Sequence, residues 1–435
     1  MVGSADVVIV GGGAAGLATA IFCKRHAPDL RVICLDGARR VGAKILVSGG
    51  SRCNITNRVV SERDFWGGSP RVIRNVLRAF SAEQAAAFFR EIGVDLHEEE
   101  DGKLFPDTNS SRTVLDSLLG ELARQGVDLR CGERVTDVRP EGRAFVVACE
   151  QGREYAARAV VLATGGRSLP KSGSDGAGYA IATRLGHGHV DTTPALAPLL
   201  LDGDRHVALS GVSLPARLTV RVEGRPDTRL EGALLWTHFG ASGPVVLNAS
   251  RHWHRARLEG RTPAVLLSLC PGETLESLEA WLRAQALGRP RAFVATVLAQ
   301  RFPAAVADAW ARSADVEGVT LAHLSREARR RLIQSLVASP LVVRDSRGYN
   351  VAEATAGGVP LDEIDSSRME SRCRAGLYLV GEMLDVDGRL GGFNFQWAWS
   401  SAWVAGRAIA SGGPRQPLPR SPGSATHSTP RAPRE

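Results

Sequence analysis

Val7-Val8-Ile9-Val10-Gly11-Gly12-Gly13-Ala14-Ala15-Gly16 is the stretch that decides the fold. Within residues 5–10, Val7 to Val10 is an unbroken apolar run rather than an alternating one. That pattern predicts a strand buried on both faces, as in a parallel sheet. A helical pattern follows from about Ala14 to His26, and a second apolar strand, residues 31–35, ends at Asp36. The glycines fall where a strand–turn–helix needs them: Gly11 for the tight turn, Gly13 for close approach to a pyrophosphate, Gly16 for helix–strand packing. The helix start, Ala14 and Ala15 included, offers free N–H groups and a dipole that favour phosphate. Asp36 follows Gly16 by 20 residues. At a strand end its carboxylate can accept hydrogen bonds from ribose hydroxyls, and it disfavours a 2′-phosphate. This unit alone leaves NAD and FAD open.

The rest of the 435 residues has ordinary globular composition, 44% hydrophobic and 23% charged. Collagen-like, disulfide-scaffold and wholly disordered chains are excluded. The balance of 54 basic and 46 acidic residues, +8, permits an anionic partner without requiring one. Seven cysteines, an odd count with no C-x-x-C spacing, argue against a disulfide framework, a zinc site or a dithiol centre. The start of the chain lacks the basic region of a signal peptide, and no apolar run is long enough for a membrane span. A cytoplasmic protein is the expectation.

Glycine is the outlier, at 47 residues. Several sit in pairs that end apolar strands. Ala163-Thr164-Gly165-Gly166 follows one such strand. Gly381-Glu382 follows another, ahead of a small-residue helix expected at 396–410. Ahead of both, after Asp36, a glycine-rich loop reaches about residue 68, with helices at about 70–92 and 113–125. Ser81 and Gln84 have capping-box spacing. Residues 127–156 break into short runs that suggest an antiparallel meander. From about 191 the texture changes: 196–236 alternates apolar and polar residues with Gly and Pro turns, and 273–337 is Ala/Leu/Arg-rich and helical.

The strand-ATG turn and the late Gly-Glu turn resemble the second and third flavin-contact motifs of two-dinucleotide-type FAD proteins. The resemblance extends further. Gly42-x-Lys44-x-x-x-Ser48-Gly49-Gly50-Ser51-Arg52-Cys53-Asn54-x-Thr56-Asn57 is similar to the signature of the HI-0933-like family of bacterial FAD-dependent oxidoreductases, some described as alkene reductases. So are Phe105-Pro106, Thr237-His238-x-Gly240-x-Ser242-Gly243-Pro244, Thr355-x-Gly357-Gly358-Val359, and the block from Gly381 through Asp387-Gly388 and Gly391-Gly392-Phe393-Asn394-x-Gln396. The similarity spans about residues 5–411. Ser51 departs from a usual glycine and Ala43 from a common basic residue.

The resemblance implies an α/β, Rossmann-like two-dinucleotide-type FAD-binding fold with an inserted antiparallel β-barrel and helical subdomain. The expected division is 1–190 and 341–411 for the FAD-binding domain, 191–260 for the barrel, 261–340 for the helical part and 412–435 for a disordered tail. Expected cofactor contacts are Gly11, Gly13, Ala14, Ala15, Gly16, Asp36, Gly37 and Val135 at the dinucleotide end. Lys44, Ser48, Gly49, Gly50, Arg52, Cys53 and Asn54 follow in the loop. Ala163, Thr164, Gly165, Gly166, Gly381, Glu382, Asp387, Gly388, Gly391, Gly392, Asn394 and Gln396 complete the set.

Catalytic candidates are His238 and Tyr349 as proton donors and Cys53 as a thiol. With FAD, and NAD(P)H as a transient donor, the expected reaction reduces an activated C=C bond, in uridine of ribosomal RNA or in a small unsaturated ketone. A flavin-bearing RNA- or partner-binding protein without turnover, or an oxidase or hydroxylase, would carry the same motifs. No stable protein partner and no metal is indicated. An arginine-rich helix with Arg326, Arg329, Arg330 and Arg331 is a solvated face or an RNA-facing one.

Overall fold

A computed structural model describes residues 2–150 and 152–412. The first unit forms as read: strand Val2–Val10, helix Ala14–His26, strand Val32–Asp36. The first strand is central in a nine-stranded sheet. It pairs in parallel with Val32–Asp36 on one side and Glu154–Leu162 on the other, and the latter pairs in parallel with Leu377–Leu379. Coverage on both faces explains the continuous apolar run. The helix Ala14–His26 is buried nearly all round, because Phe393–Ala410 packs across it. Small residues on the second helix permit that approach: a Cβ on Gly406 would lie 2.7 Å from the Phe22 Cβ. The carboxyl ends of these parallel strands open on one edge, where α/β sheets place their ligands.

The meander is smaller than the sequence suggests. Val135–Glu141 and Ala144–Cys149 do form an antiparallel hairpin on the start of Glu154–Leu162. Asp128–Cys131, however, is a parallel edge strand beside Val32–Asp36. The run 153–163 is one strand that changes partner along its length. Ser81 and Gln84 make the expected reciprocal cap, at 3.3 and 2.8 Å, and it divides 70–92 into Pro70–Ala79 and Ala82–Glu91.

A second hydrophobic core runs from Leu199 to Leu341. Its seven-stranded sheet is antiparallel throughout, but open. The path ends at Ser339–Leu341 and Val343–Ser346, which do not pair, so the expected barrel is a curled sheet with two edges. Its strands come from both sides of residue 260 and extend past residue 340. A helix, Pro244–Leu258, also lies inside the 191–260 division, past the alternating stretch 196–236. Gly243-Pro244 reads locally as a turn, yet proline at the first helical position has its fixed φ where a helix wants it. Helices Leu275–Gly288, Val294–Leu298, Ala304–Ser313 and Arg326–Val337 cover the 273–337 region. On the last, Arg329 is held by Glu279 at 2.9 Å. Among the described residues no helix is long and apolar enough to cross a membrane. The expected disordered tail lies outside the described residues, apart from Gly412.

Candidate cofactor cleft and active site

A cleft of about 760 Å³ opens at the carboxyl edge of the parallel strands and runs from the dinucleotide turn to the crossings that lead to the second core. That volume suits a large ligand. At its first end Gly11 has φ +109°, and a Cβ there or on Gly16 would strike the backbone of Ala163 or Gly11 respectively. Gly16 therefore lies under the turn rather than on the cleft. Gly13 faces open space, with nothing within 4 Å of a Cβ. The helix start has no side-chain cap, so its first N–H groups, Ala14 and Ala15 among them, remain for a ligand. Asp36 accepts from Gly12 N–H and Ala38 N–H, each at 2.7 Å. Two backbone bonds thus aim the carboxylate at the turn. Gly37, Val135, Ala163, Thr164 and Gly165 complete this end. Gly166 does not line the cleft; it is pressed against the Thr355 side chain.

The loop read as irregular begins as a turn of helix at Ala43 and breaks at Ser48, Gly49 and Gly50. Ser51 keeps a left-handed φ of +67°, so the departure from glycine changes the side chain and not the torsion. Lys44 donates to Ser168 Oγ at 2.7 Å and is ion-paired with Glu382. Arg52 is engaged by Glu99 at 2.5 Å and lies 4.2 Å over the Phe105 ring. With its amide turned to satisfy both ends, Asn54 donates to Thr56 O at 2.8 Å and accepts from Gly392 N–H at 3.2 Å. Lys44, Ser48, Gly49, Gly50, Arg52 and Asn54 all line the cleft.

The carboxyl-terminal block divides. Glu382, Gly391, Gly392 and Asn394 line the cleft, the last three at an uncapped helix start, while the Asn394 side chain closes the Gly388 turn by bonds of 2.8 and 3.0 Å. Gly381 and Gly388 are packing glycines, against Ala15 and Phe393. Gln396 is fully buried, bonded to Thr56, Phe80 and Ser400. Asp387, 1% exposed, holds Arg251 by two bonds of 2.6 and 2.9 Å. Asp387 and Gln396 are therefore committed to the fold rather than presented to a ligand.

None of the three catalytic candidates lines the cleft. His238 is exposed on the turn between Thr228–Thr237 and Gly240–Ser242. Tyr349 turns its hydroxyl into protein beside Thr192, under Arg167, and burial pushes its pKa up. Cys53 is fully buried, and desolvation pushes its thiol to about 12. A thiol that stays protonated is a poor nucleophile. Cys53→Ala is therefore expected to keep flavin content and turnover within about twofold, at a stability cost of about 1 kcal/mol for the small cavity. A hundredfold loss of turnover with full flavin content would restore Cys53 as a reactive group.

Sequence reasoning missed the cleft's far wall. Leu196, Val351 and Glu353 come from the two crossings between the cores, and Arg134, paired with Asp175, borders Gly37. Glu353 lies two residues before the Thr355-x-Gly357-Gly358 block. That position was the available signal, but it says nothing of where the side chain points.

The uncapped helix start, the glycine turn with its aimed aspartate and the three strand-end motifs on one cleft fit FAD. Residues 5–408 match the HI0933-like protein Rossmann domain. The chain belongs to that family. It is an FAD-dependent oxidoreductase. Two curated relatives are nearly full-length matches. The ribosomal RNA dihydrouridine synthase of Escherichia coli (strain K12) is 32% identical, covering 93% of this chain and 98% of its own. The 3-dehydro-bile acid delta(4,6)-reductase of Clostridium scindens is 31% identical over 92% and 98%. Among solved structures, a quinol–fumarate reductase with menaquinol shares the fold, with a TM-score of 0.50 at 17% identity over 94% of this chain and 71% of that one.

Proposed function

We propose that this member of the family reduces an electron-poor C=C bond conjugated to a carbonyl, using FAD recharged by a reduced nicotinamide dinucleotide. The observation that carries the reading is the course of the cleft. It starts at a dinucleotide turn and ends at the crossings that lead to the second core, leaving a wall of Leu196, Val351 and Glu353 where a substrate can meet the cofactor. The two named relatives act on different molecules, a bile acid and an RNA nucleotide, and what their names share is a reduction that saturates a ring. FAD, when bound, takes up and delivers hydride.

The protein's own work is to bind and orient. Helix starts at Ala14 and Phe393 supply N–H groups to anionic parts of the cofactor. Asp36 would take a ribose hydroxyl on the lone pairs its backbone bonds leave free. Lys44 and Glu382, held to each other and to Ser168, would set the middle of the chain between the two ends. No second glycine turn with its own strand–helix–strand exists among the described residues, so the nicotinamide would visit the same face and leave.

The test begins with anaerobic reduction of the purified yellow protein by NADH or NADPH. Two acceptors are then offered, 4-androstene-3,17-dione and an unmodified ribosomal RNA transcript. Reoxidation with a saturated ketone, or with dihydrouridine in the RNA, is the expected result. Flavin that stays reduced with both would indicate a binding protein, and rapid oxygen consumption without either acceptor an oxidase or hydroxylase.

A further inference from the structure

Six carboxylates line the cleft, and five are already engaged. Asp36 is held by backbone N–H groups, Glu99 by Arg52, Glu133 by Arg153, Asp175 by Arg134 and Glu382 by Lys44 and Ser168. The sixth, Glu353, has no hydrogen bond or ion pair at its carboxylate among the described residues. Its backbone, by contrast, is fixed. Glu353 N–H donates to Leu196 O at 3.2 Å, Ser168 Oγ donates to its carbonyl at 3.4 Å, and Ala352 and Ala354 on either side are buried. A backbone bonded on both sides, just before strand Ala354–Gly358, thus holds one free carboxyl at the cleft.

Its place along the cleft is the second point. Leu196 and Ala354 pack in one small cluster with Leu390, the residue before Gly391-Gly392 and the uncapped helix start at Phe393. Glu353 therefore stands at the end of the cleft away from the dinucleotide turn, on the wall formed by the crossings between the two cores.

We infer that Glu353 is the acid that delivers the proton in the reduction. The inference rests on the C=C reading. One alkene carbon receives hydride from the reduced cofactor, which is oxidised by two electrons. The Glu353 carboxyl releases its proton to the other carbon, or first to the carbonyl oxygen. The carboxylate so formed takes a proton back from water. Glu353 is exposed to the cleft, yet the protein atoms around its carboxyl still disfavour the ionised form and raise its pKa, while Lys44 opposes this more weakly. Of the other charged groups on that side, Glu382 is tied to Lys44 across Ser168, and Arg389, beside Leu390, is paired with Asp64 at 2.7 Å. More of Glu353 is thus protonated near neutral pH than of an ordinary carboxylic acid, which suits a general acid.

Two variants of the flavin-loaded protein test it, Glu353→Gln and Glu353→Asp. The glutamine variant is expected to keep flavin content and to be reduced by dithionite, yet to transfer hydride to 4-androstene-3,17-dione or to the RNA transcript about 10²- to 10⁴-fold more slowly. In the wild type that step should slow as pH rises through the Glu353 ionisation. The glutamine variant should lose the limb, and aspartate should restore part of the rate together with it. A second readout needs no turnover: the visible spectrum of the oxidised holoprotein should shift with pH in the wild type and in Glu353→Asp, but not in Glu353→Gln. Wild-type transfer rates in Glu353→Gln, or a pH limb that survives it, would overturn the assignment. If the wild type reduces neither acceptor, the C=C reading has failed. The spectral titration then decides Glu353 alone: an unchanged shift in the glutamine variant removes it from the cofactor's surroundings. Should glutamine abolish flavin binding, the aspartate variant and the wild-type titration carry the same decision.

Discussion

Gly13→Val is expected to yield a folded, colourless protein. A side chain at residue 13 meets no protein atom within 4 Å, and φ −83°, ψ −171° is extended backbone open to any residue. The valine methyls therefore cost the fold little and project into the cleft at the uncapped helix start. Anything held there by the first N–H groups must move away. Losing two charge-assisted hydrogen bonds at about 1.5–3 kcal/mol each would weaken binding roughly 10²- to 10⁴-fold. Gly11→Ala and Gly16→Ala should behave in the opposite way. Their Cβ atoms collide with backbone carbonyls, so they should lose the fold first and flavin only as a consequence. Flavin absorbance of the purified variants, FAD titration and thermal melts of the apoproteins separate the two cases. Full flavin occupancy in Gly13→Val would mean that the turn does not hold the pyrophosphate.

The second large effect is structural. Asp387→Ala, or Arg251→Ala, is expected to cost about 3–5 kcal/mol, because each leaves a buried charge without its partner. The pair is bidentate, the side chains are 1% and 12% exposed, and the guanidinium also sits 5.0 Å over the Trp66 ring. Arg251 belongs to helix Pro244–Leu258 on the second core, whereas Asp387 lies in a strand paired with Phe65–Gly67 on the first. The pair thus fastens the two cores beside the cleft. Arg251→Lys keeps the charge but loses the fork, and should recover only part of the loss. Replacing both partners together, Arg251→Met with Asp387→Leu, should be far milder than either alanine variant, since no orphan charge remains. Urea unfolding followed by tryptophan fluorescence reads all four. A shift below about 0.5 kcal/mol for the single variants would put the pair among surface salt bridges of little consequence.

What the chain declares locally, it declares well. Glycine spacing at 11, 13 and 16 is a property of one turn. The buried runs at 7–10 and 159–163 follow from strands covered on both faces, and the Ser81–Gln84 cap spans four residues. Such features depend on neighbours a few positions apart, so the amino-acid sequence alone determined the Rossmann unit, its acidic strand end and the family. The tertiary structure decided everything that depends on partners distant along the chain. Gln396 meets Thr56 and Phe80, more than 300 residues away, and becomes part of the core; Asp387 meets Arg251, 136 residues away, and becomes a fastener. The second sheet stays open because its two end strands, 339–341 and 343–346, do not pair with each other, an arrangement no alternation pattern reports. Glu353 carries no motif of its own. Only the backbone held between Leu196 and Ser168 leaves its carboxyl unpaired in the cleft, because the direction of a side chain is fixed by the packing around its backbone and not by its place in the sequence.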